Sequence, residues 1–473
     1  MCPCRTANGC ASLVRSDNDV KTAIVVGSGF EGLSAAYYLR DTYDLDVTLI
    51  DTAKNVGGVM RGFKGDQFHF DFGCQVFDNF DDRVSRAILA LADNRCEFHD
   101  ITYASRYAGK VATNVSVPDL THLPSEIVER IEAEVQATGQ DGLDARSLAQ
   151  YYERRWGPTA AACLETINQK VLEAPASDLD LSSRIYAGLS RLRLFRDDAH
   201  ALDLKQNDPL IDAKVAVPRG TFNFYKKSLE KIPFQNIVPV PNSFGEFCET
   251  VPSILQNIGV ELLLETKISA LAFEESKGKV TVTAQSATHE VSDLQSDMIV
   301  WCAPFEILCK LLSIETRTED FISPIGTTIT YYIAPKSAIN PLGYLQNYDA
   351  DMRFFRWSSM GLYSQQISNE GLSFCCTETP SENSLDKADS QTEALRDWED
   401  LCALDLVSGQ PSQSPIRRFV PNAIKRRRPG FNDAAGAAMG KLALQVGPSM
   451  IYQKLMHSAA HQPPARCLTK LME

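Results

Sequence analysis

Residues Lys21 to Phe77 read KTAIVVGSGFEGLSAAYYLRDTYDLDVTLIDTAKNVGGVMRGFKGDQFHFDFGCQVF, and the reading of this stretch decides the fold. A short apolar run, Ala23 to Val26, meets Gly27-Ser28-Gly29-Phe30-Glu31-Gly32. A helical stretch, Leu33 to Arg40, follows, and a second apolar strand, Val47 to Ile50, ends at Asp51. Gly27 permits a tight turn out of the strand. Gly29, lacking a side chain, lets a pyrophosphate approach the backbone. Gly32 lets the helix pack close to the sheet. The N-terminus of the helix offers free N–H groups and a positive dipole end to phosphates. Asp51 lies about 20 residues on, where an acid accepts hydrogen bonds from a ribose. A glycine turn alone is a weak signal. A strand before it, a helix after it and an acid closing the next strand make it a dinucleotide site.

Beyond Asp51 the chain continues through Gly57-Gly58, Val59-Met60-Arg61 and Phe70-Asp71-Phe72-Gly73. This order resembles the flavoprotein superfamily of amine oxidases, protoporphyrinogen oxidases, carotenoid desaturases and UDP-galactopyranose mutases. The resemblance implies an α/β fold: a Rossmann-like, GR2-type FAD-binding domain on a parallel sheet, with an inserted α+β substrate domain. It also implies FAD as cofactor, with Gly27, Ser28, Gly29, Phe30, Gly32, Asp51, Gly57, Gly58 and Arg61 around it. One departure is Glu31, where the superfamily carries a small or apolar residue; an acid there must point away from the phosphates.

Later segments extend the resemblance. Ser147 to Gly157 (SLAQYYERRWG) is similar to a helix of the superfamily's substrate domain. Gly259-Val260-Glu261-Leu262 and Thr266-Lys267-Ile268 are similar to the return to the FAD sheet, where relatives use the backbone at the position of Ile268 to contact the adenine. Asp297 to Pro304 (DMIVWCAP) is similar to the strand that closes this part of the domain. The resulting division is a flexible arm over 1–20, FAD-binding segments over 21–77 and 238–305, a mainly helical substrate domain over 78–237, a substrate-domain sheet and helix over 306–415, and an atypical C-terminal segment over 416–473. Within the sheet, the resemblance implies an arginine-bearing strand near the flavin, with Arg353 or Arg356 as a substrate contact; the alternative reading is a surface strand of alternating charge. Paired charge-assisted hydrogen bonds suit either arginine to a phosphate or carboxylate.

Two basic stretches have alternative readings. Arg184 to Arg196 (RIYAGLSRLRLFR) reads as an anion site or as a solvated helix face with Ile185, Leu189, Leu192 and Phe195 in the core, and the second is the expectation. Lys425 to Arg428 (KRRR) reads as a targeting or anion patch or as a solvated loop, and the loop is expected. Beyond Asn432 the superfamily pattern stops, and no Gly-Asp pair follows Thr377.

Composition sets the bounds. The chain has 473 residues, enough for two or three domains. Lys and Arg number 47 against 60 Asp and Glu, a net charge of −13, which argues against a nucleic-acid partner. Met298 to Ile314 is the nearest approach to an apolar span, but Glu306 and Lys310 interrupt it, so no transmembrane segment is expected. Thirteen scattered cysteines fit a reducing, cytoplasmic setting better than a disulfide framework. The seven histidines show no metal spacing, and no catalytic base stands out.

The function these observations imply is oxidation of a small organic substrate by hydride transfer to FAD. The alternatives are a redox-neutral mutase acting on a nucleotide sugar and a non-catalytic relative lacking the C-terminal FAD clamp. Substrate, electron acceptor and oligomeric state are not legible in the sequence.

Overall fold

Strand β1 (Thr22–Val26) is the axis of a five-stranded sheet. It is followed by helix α1 (Phe30–Tyr43) and strand β2 (Asp46–Ile50). The sheet runs Glu261–Leu263, β2, β1, Met298–Trp301, Met450–Tyr452, with every neighbouring pair parallel. The structure, a computed structural model, describes residues 21–78, 82–93, 95–99, 101–218, 236–239, 243–274, 278–381, 390–446 and 450–452. The expected arm over 1–20 lies outside the described residues, as does most of the polar stretch 381–392.

A parallel strand covered on both faces must be apolar throughout, and Ala23 to Val26 are all buried. Their side chains alternate between two cores. Ala23 and Val25 join Leu33, Ala36, Phe247 and Val251, packing α1 and the helix Phe244–Asn257 on one face. Ile24 and Val26 join Val280, Val282, Leu308 and Leu442 on the other. That face carries a three-stranded antiparallel sheet (Lys267–Glu274, Lys279–Gln285, Val291–Ser296) and the helices Phe305–Leu311 and Phe431–Gln445.

A second sheet of seven strands runs Ile416–Arg427, Ile322–Pro335, Leu372–Ser381, Arg356–Ser358, Tyr344–Asn347, Tyr103–Tyr107, Lys110–Thr113. Period-two alternation gives it two faces as well. Ile329, Tyr331, Ile333, Phe374 and Cys376 pack on Phe68 and Phe70, whereas Tyr332, Trp357 and Cys375 pack on Trp398 and Leu401 of the helix Ser390–Ala403. The sheet therefore lies with one face over the segment that follows Gly57-Gly58.

Beside it stands a helical lobe that includes Ser125–Ala137, Leu148–Trp156 and Pro158–Leu172. Ser147 starts the second of these helices, its Oγ accepting from Gln150 N–H at 3.3 Å. Trp156, Leu164 and Ile167 are fully buried in the lobe's core. The stretch 78–237 is thus not helical alone, because its strands Tyr103–Tyr107 and Lys110–Thr113 complete the edge of the seven-stranded sheet.

Three expectations change. Arg184 to Arg196 is helical only over Arg184–Ala187, because Gly188 at φ +66° ends the turn. Leu189, Leu192 and Phe195 are buried as expected, but from non-helical backbone. Arg193 pairs with Asp119 at 2.7 Å and with Asp198 at 3.3 Å, whereas Arg184, Arg191 and Arg196 donate to backbone carbonyls. The KRRR run is no loop: Lys425 to Arg427 end the strand Ile416–Arg427, and buried Arg426 donates to the Leu172 and Glu173 carbonyls and to Ser323. The C-terminal segment also has a place in the fold. Helix Phe431–Gln445 buries Ala438 and Leu442 against the five-stranded sheet, and Met450–Tyr452 adds the strand beside Met298–Trp301.

Candidate functional site

The C-terminal ends of β1, β2 and Met298–Trp301 open into a cleft of about 640 Å³. It is lined by Gly27, Gly29, Phe30, Glu31, Asp51, Gly57, Gly58 and Ile268, among others. Clefts beyond the carboxyl ends of parallel strands are where this sheet type takes its ligands.

Two glycines of the turn have a steric reason within the protein. Gly27 sits at φ +99°, a conformation that favours glycine, and a Cβ there would lie 3.0 Å from Ala303 N. A Cβ on Gly32 would lie 1.7 Å from the Gly27 carbonyl oxygen, so only glycine lets α1 pack this close to the turn. Gly29 differs. A Cβ there would meet nothing within 4 Å, because the position faces the open cleft. The space is a cradle that a side chain would fill, and it fits a diphosphate at the N-terminus of α1.

The Gly57-Gly58 pair is built onto this turn. Gly57 N–H donates to the Ser28 carbonyl at 2.7 Å, and a Cβ on Gly58 would stand 3.3 Å from Gly29 Cα. A Cβ on Gly57 would strike Cys248 Sγ at 2.4 Å. Two glycine motifs separated in sequence thus form one wall.

Asp51 is fixed before any ligand arrives. Its Oδ2 accepts from both Ser28 N–H and Ser28 Oγ–H, the latter at 2.7 Å, and its Oδ1 accepts from Ala53 N–H at 2.7 Å. Its own carbonyl accepts from Thr266 N–H at 2.9 Å, which ties the strand carrying Ile268 to the acid. A carboxylate has about four acceptor sites, so one remains for a ribose hydroxyl. Ser28 is buried and acts through Asp51 rather than lining the cleft, and Gly32 likewise acts from behind it.

Sequence reading missed part of the lining. Thr52, Thr266 and Lys267 stand near Asp51 in the fold, and Trp301, Cys302, Pro304 and Ile307 come from the closing strand and the helix after it. The signal for Lys267 was its position beside Ile268. Thr52 and Thr266 likewise adjoin residues read from the sequence, and Trp301, Cys302 and Pro304 lie in the segment Asp297 to Pro304; that they line one cleft follows only from the sheet order. Val59, 79% exposed, also lines the cleft, whereas Arg61 does not. The Arg61 guanidinium turns back to the carbonyls of Gly58 and Asn55 at 3.3 Å each. Glu31 does line the cleft, in the first turn of α1.

The Phe70 to Gly73 segment locks the two sheets together. Asp71 is buried and accepts from Phe244 N–H at 3.2 Å and Gly245 N–H at 3.0 Å, capping the helix Phe244–Asn257. Burial outweighs these hydrogen bonds and pushes its carboxyl up to about 7. Tyr331 O–H, from the larger sheet, donates to the Asp71 carbonyl at 2.6 Å. His69 pairs through Nδ1 with Ser243 Oγ.

The two candidate substrate arginines point to different places. Arg353 pairs with Glu393 at 2.9 Å on the helix Ser390–Ala403, on the sheet face away from Phe70. Arg356 pairs with Glu378 at 3.5 Å and reaches Gln346 at 3.4 Å. Glu378 accepts in turn from Cys74 N–H at 2.9 Å, and a Cβ on Gly73 would lie 2.9 Å from its carboxyl. Arg356 therefore stands where the seven-stranded sheet meets Gly73-Cys74, and Arg353 does not. Among the described residues no cluster of His, Cys, Asp and Glu could hold a metal ion, and no helix is long and apolar enough to cross a membrane.

The comparisons with known proteins agree with this geometry. Residues 25–91 match the family model of the NAD(P)-binding Rossmann-like domain. No curated protein matches the chain. Among solved structures the chain is similar to a reduced UDP-galactopyranose mutase, with TM-score 0.63 and 13% identity over 91% of this chain and 87% of that one. It is similar to a provisionally assigned protoporphyrinogen oxidase from Exiguobacterium sp. 255-15, with TM-score 0.58 and 16% identity over 91% and 93%. It is also similar to the cyclohexylamine oxidase of Brevibacterium oxydans IH-35A, with TM-score 0.56 and 12% identity over 96% and 99%. Residues 25–91 thus carry a Rossmann-like domain match, at the turn and cleft described above. Over 91–96% of its length the chain shares the fold of these three proteins.

Proposed function

We propose that the protein is an FAD-dependent oxidoreductase acting on a small organic substrate. The observation that carries the reading is the cradle at Gly29, open on one side and backed by Gly57-Gly58, with Asp51 pre-set at the end of β2. The N-terminus of α1 would take the diphosphate, Asp51 the ribose, and the backbone around Ile268 the adenine. When bound, the flavin supplies hydride acceptance, which no side chain can. The chain's own groups would bind and orient. Arg356, held by Glu378, offers a fixed positive charge to a substrate carboxylate or phosphate.

A second reading is a redox-neutral mutase acting on a nucleotide sugar, as in the UDP-galactopyranose mutase that the chain resembles in fold. The placement of Arg356 favours it specifically, because a guanidinium suits a diphosphate and disfavours an ammonium substrate. One anaerobic experiment separates the two. With FAD bound, an oxidisable substrate abolishes the oxidised-flavin absorbance, whereas a mutase substrate leaves it unchanged and turns over only after prior reduction. Failure of the purified protein to take up FAD would sink both.

A further inference from the structure

Gly58 has a second cavity at its back, of about 700 Å³, between the loop Lys54 to Lys64 and the helix Phe244–Asn257. Lys54, Arg61, Lys64 and His69 line it, with Glu249 as its one acid. A local excess of cations is unexpected in a chain of net charge −13, where general solubility is served by acids.

His69 is 9% exposed, and its hydrogen bonding is specific. Ser243 Oγ accepts from Glu246 N–H at 3.2 Å and is hydrogen-bonded to His69 Nδ1, so its hydroxyl proton is available to this nitrogen. Burial lowers the pKa of this imidazole and favours its neutral form. With Nδ1 accepting, the ring proton sits on Nε2. Among the described residues that nitrogen has no protein partner. That nitrogen is not sealed off, so a ligand or water in the cavity can pair with it. Arg61 commits only part of its guanidinium to the Gly58 and Asn55 carbonyls, leaving further N–H groups.

We infer that this cavity is an anion site, separate from the dinucleotide cleft, that takes a phosphorylated or carboxylated small molecule on Lys54, Arg61, Lys64 and His69. Because Gly58 lines both cavities, a ligand here braces the wall against which the cofactor lies. The anion site itself does not depend on the FAD reading, whereas the bracing does.

Calorimetry on the full-length, cofactor-free protein tests it, with sodium phosphate or sodium citrate titrated against sodium chloride at matched ionic strength. We expect saturable one-site binding of phosphate or citrate but not chloride, and the tighter of the two identifies the ligand class. The Lys54→Gln/Lys64→Gln variant should lose at least about tenfold in affinity, whereas Glu249→Gln, which removes the opposing charge, should tighten binding about threefold. Phosphate and citrate indistinguishable from chloride would overturn the proposal. So would binding that neither variant changes. If the double variant does not fold by circular dichroism, the Glu249→Gln result decides alone. An increase in FAD affinity on adding the better anion tests the bracing separately.

Discussion

Ser28 and Asp51 are joined twice: the backbone N–H and the hydroxyl of Ser28 both donate to the same carboxylate oxygen, the hydroxyl at 2.7 Å. The glycine turn and the end of β2 are thereby fixed relative to each other without a ligand. Asp51→Ala removes the acceptor for a ribose and leaves two Ser28 donors unpaired. Hydrogen bonds to charged groups contribute about 1.5–3 kcal/mol, so FAD affinity should fall at least about tenfold, with a lower melting temperature as well. Ser28→Ala removes one donor only and should have a smaller effect on both. Fluorescence quenching of titrated FAD and a thermal melt read the two quantities.

Gly29 and Gly32 should behave oppositely although they belong to one motif. A Cβ at Gly32 collides with the Gly27 carbonyl, so Gly32→Ala should destabilise the empty protein. A Cβ at Gly29 meets nothing, and φ −64° suits alanine, so Gly29→Ala should melt as the wild type does. Its methyl group occupies the phosphate cradle, however, and should weaken FAD about tenfold or more. Equal effects of the two substitutions on melting would contradict this division.

Glu31 lines the cleft in the first turn of α1. An acid there favours the empty helix through its dipole and competes with phosphate for the same N-terminus. Glu31→Gln should therefore tighten FAD roughly fivefold while lowering the melting temperature of the empty protein slightly. An unchanged dissociation constant would show that the carboxylate keeps clear of the phosphates.

Asp71 gives a pH dependence. Its folded carboxyl is raised to about 7 by burial, against about 4 in the unfolded chain. Between these values the folded state holds a proton that the unfolded state has released. Stability is therefore lost as pH rises from about 4 to about 7 and does not change further above that range. Asp71→Asn keeps an acceptor for only one of the Phe244 and Gly245 N–H groups, which lowers stability at every pH, and abolishes this titrating component. Chemical denaturation across that range should show a flatter pH profile for the variant.

Arg356 and Arg353 should separate in function. Arg356→Ala should raise the KM for a carboxylate- or phosphate-bearing substrate about tenfold or more. Arg353→Ala breaks only an ion pair with Glu393 on the far face and should leave KM unchanged.

The legible part of this fold was local. From Ala23 to Gly73 the strand, turn, helix and acid follow one another in sequence, and steric need dictates Gly27, Gly32 and Gly57. The harder part was set by pairing. Arg184 to Arg196 has helical spacing of apolar residues, yet Gly188 ends the helix and tertiary contacts bury Leu189, Leu192 and Phe195 anyway. The charge of Lys425 to Arg428 suggested solvent, but Arg426 is buried because the Leu172, Glu173 and Ser323 oxygens satisfy its guanidinium. Nothing near Met450 reveals that it pairs with Ile299, a partner set only by the folded sheet. The same holds for the site, where the side of the sheet decides between Arg353 and Arg356.

The central claim is that the Gly29 cradle and Asp51 bind FAD. Its most direct test is a titration of purified full-length protein with FAD, followed by desalting and a visible spectrum, with Gly29→Ala in parallel. The account predicts a retained flavin spectrum near one equivalent for the wild type and a loss of most of it for Gly29→Ala at unchanged melting temperature. No retained flavin in the wild type and no quenching during the titration would contradict it.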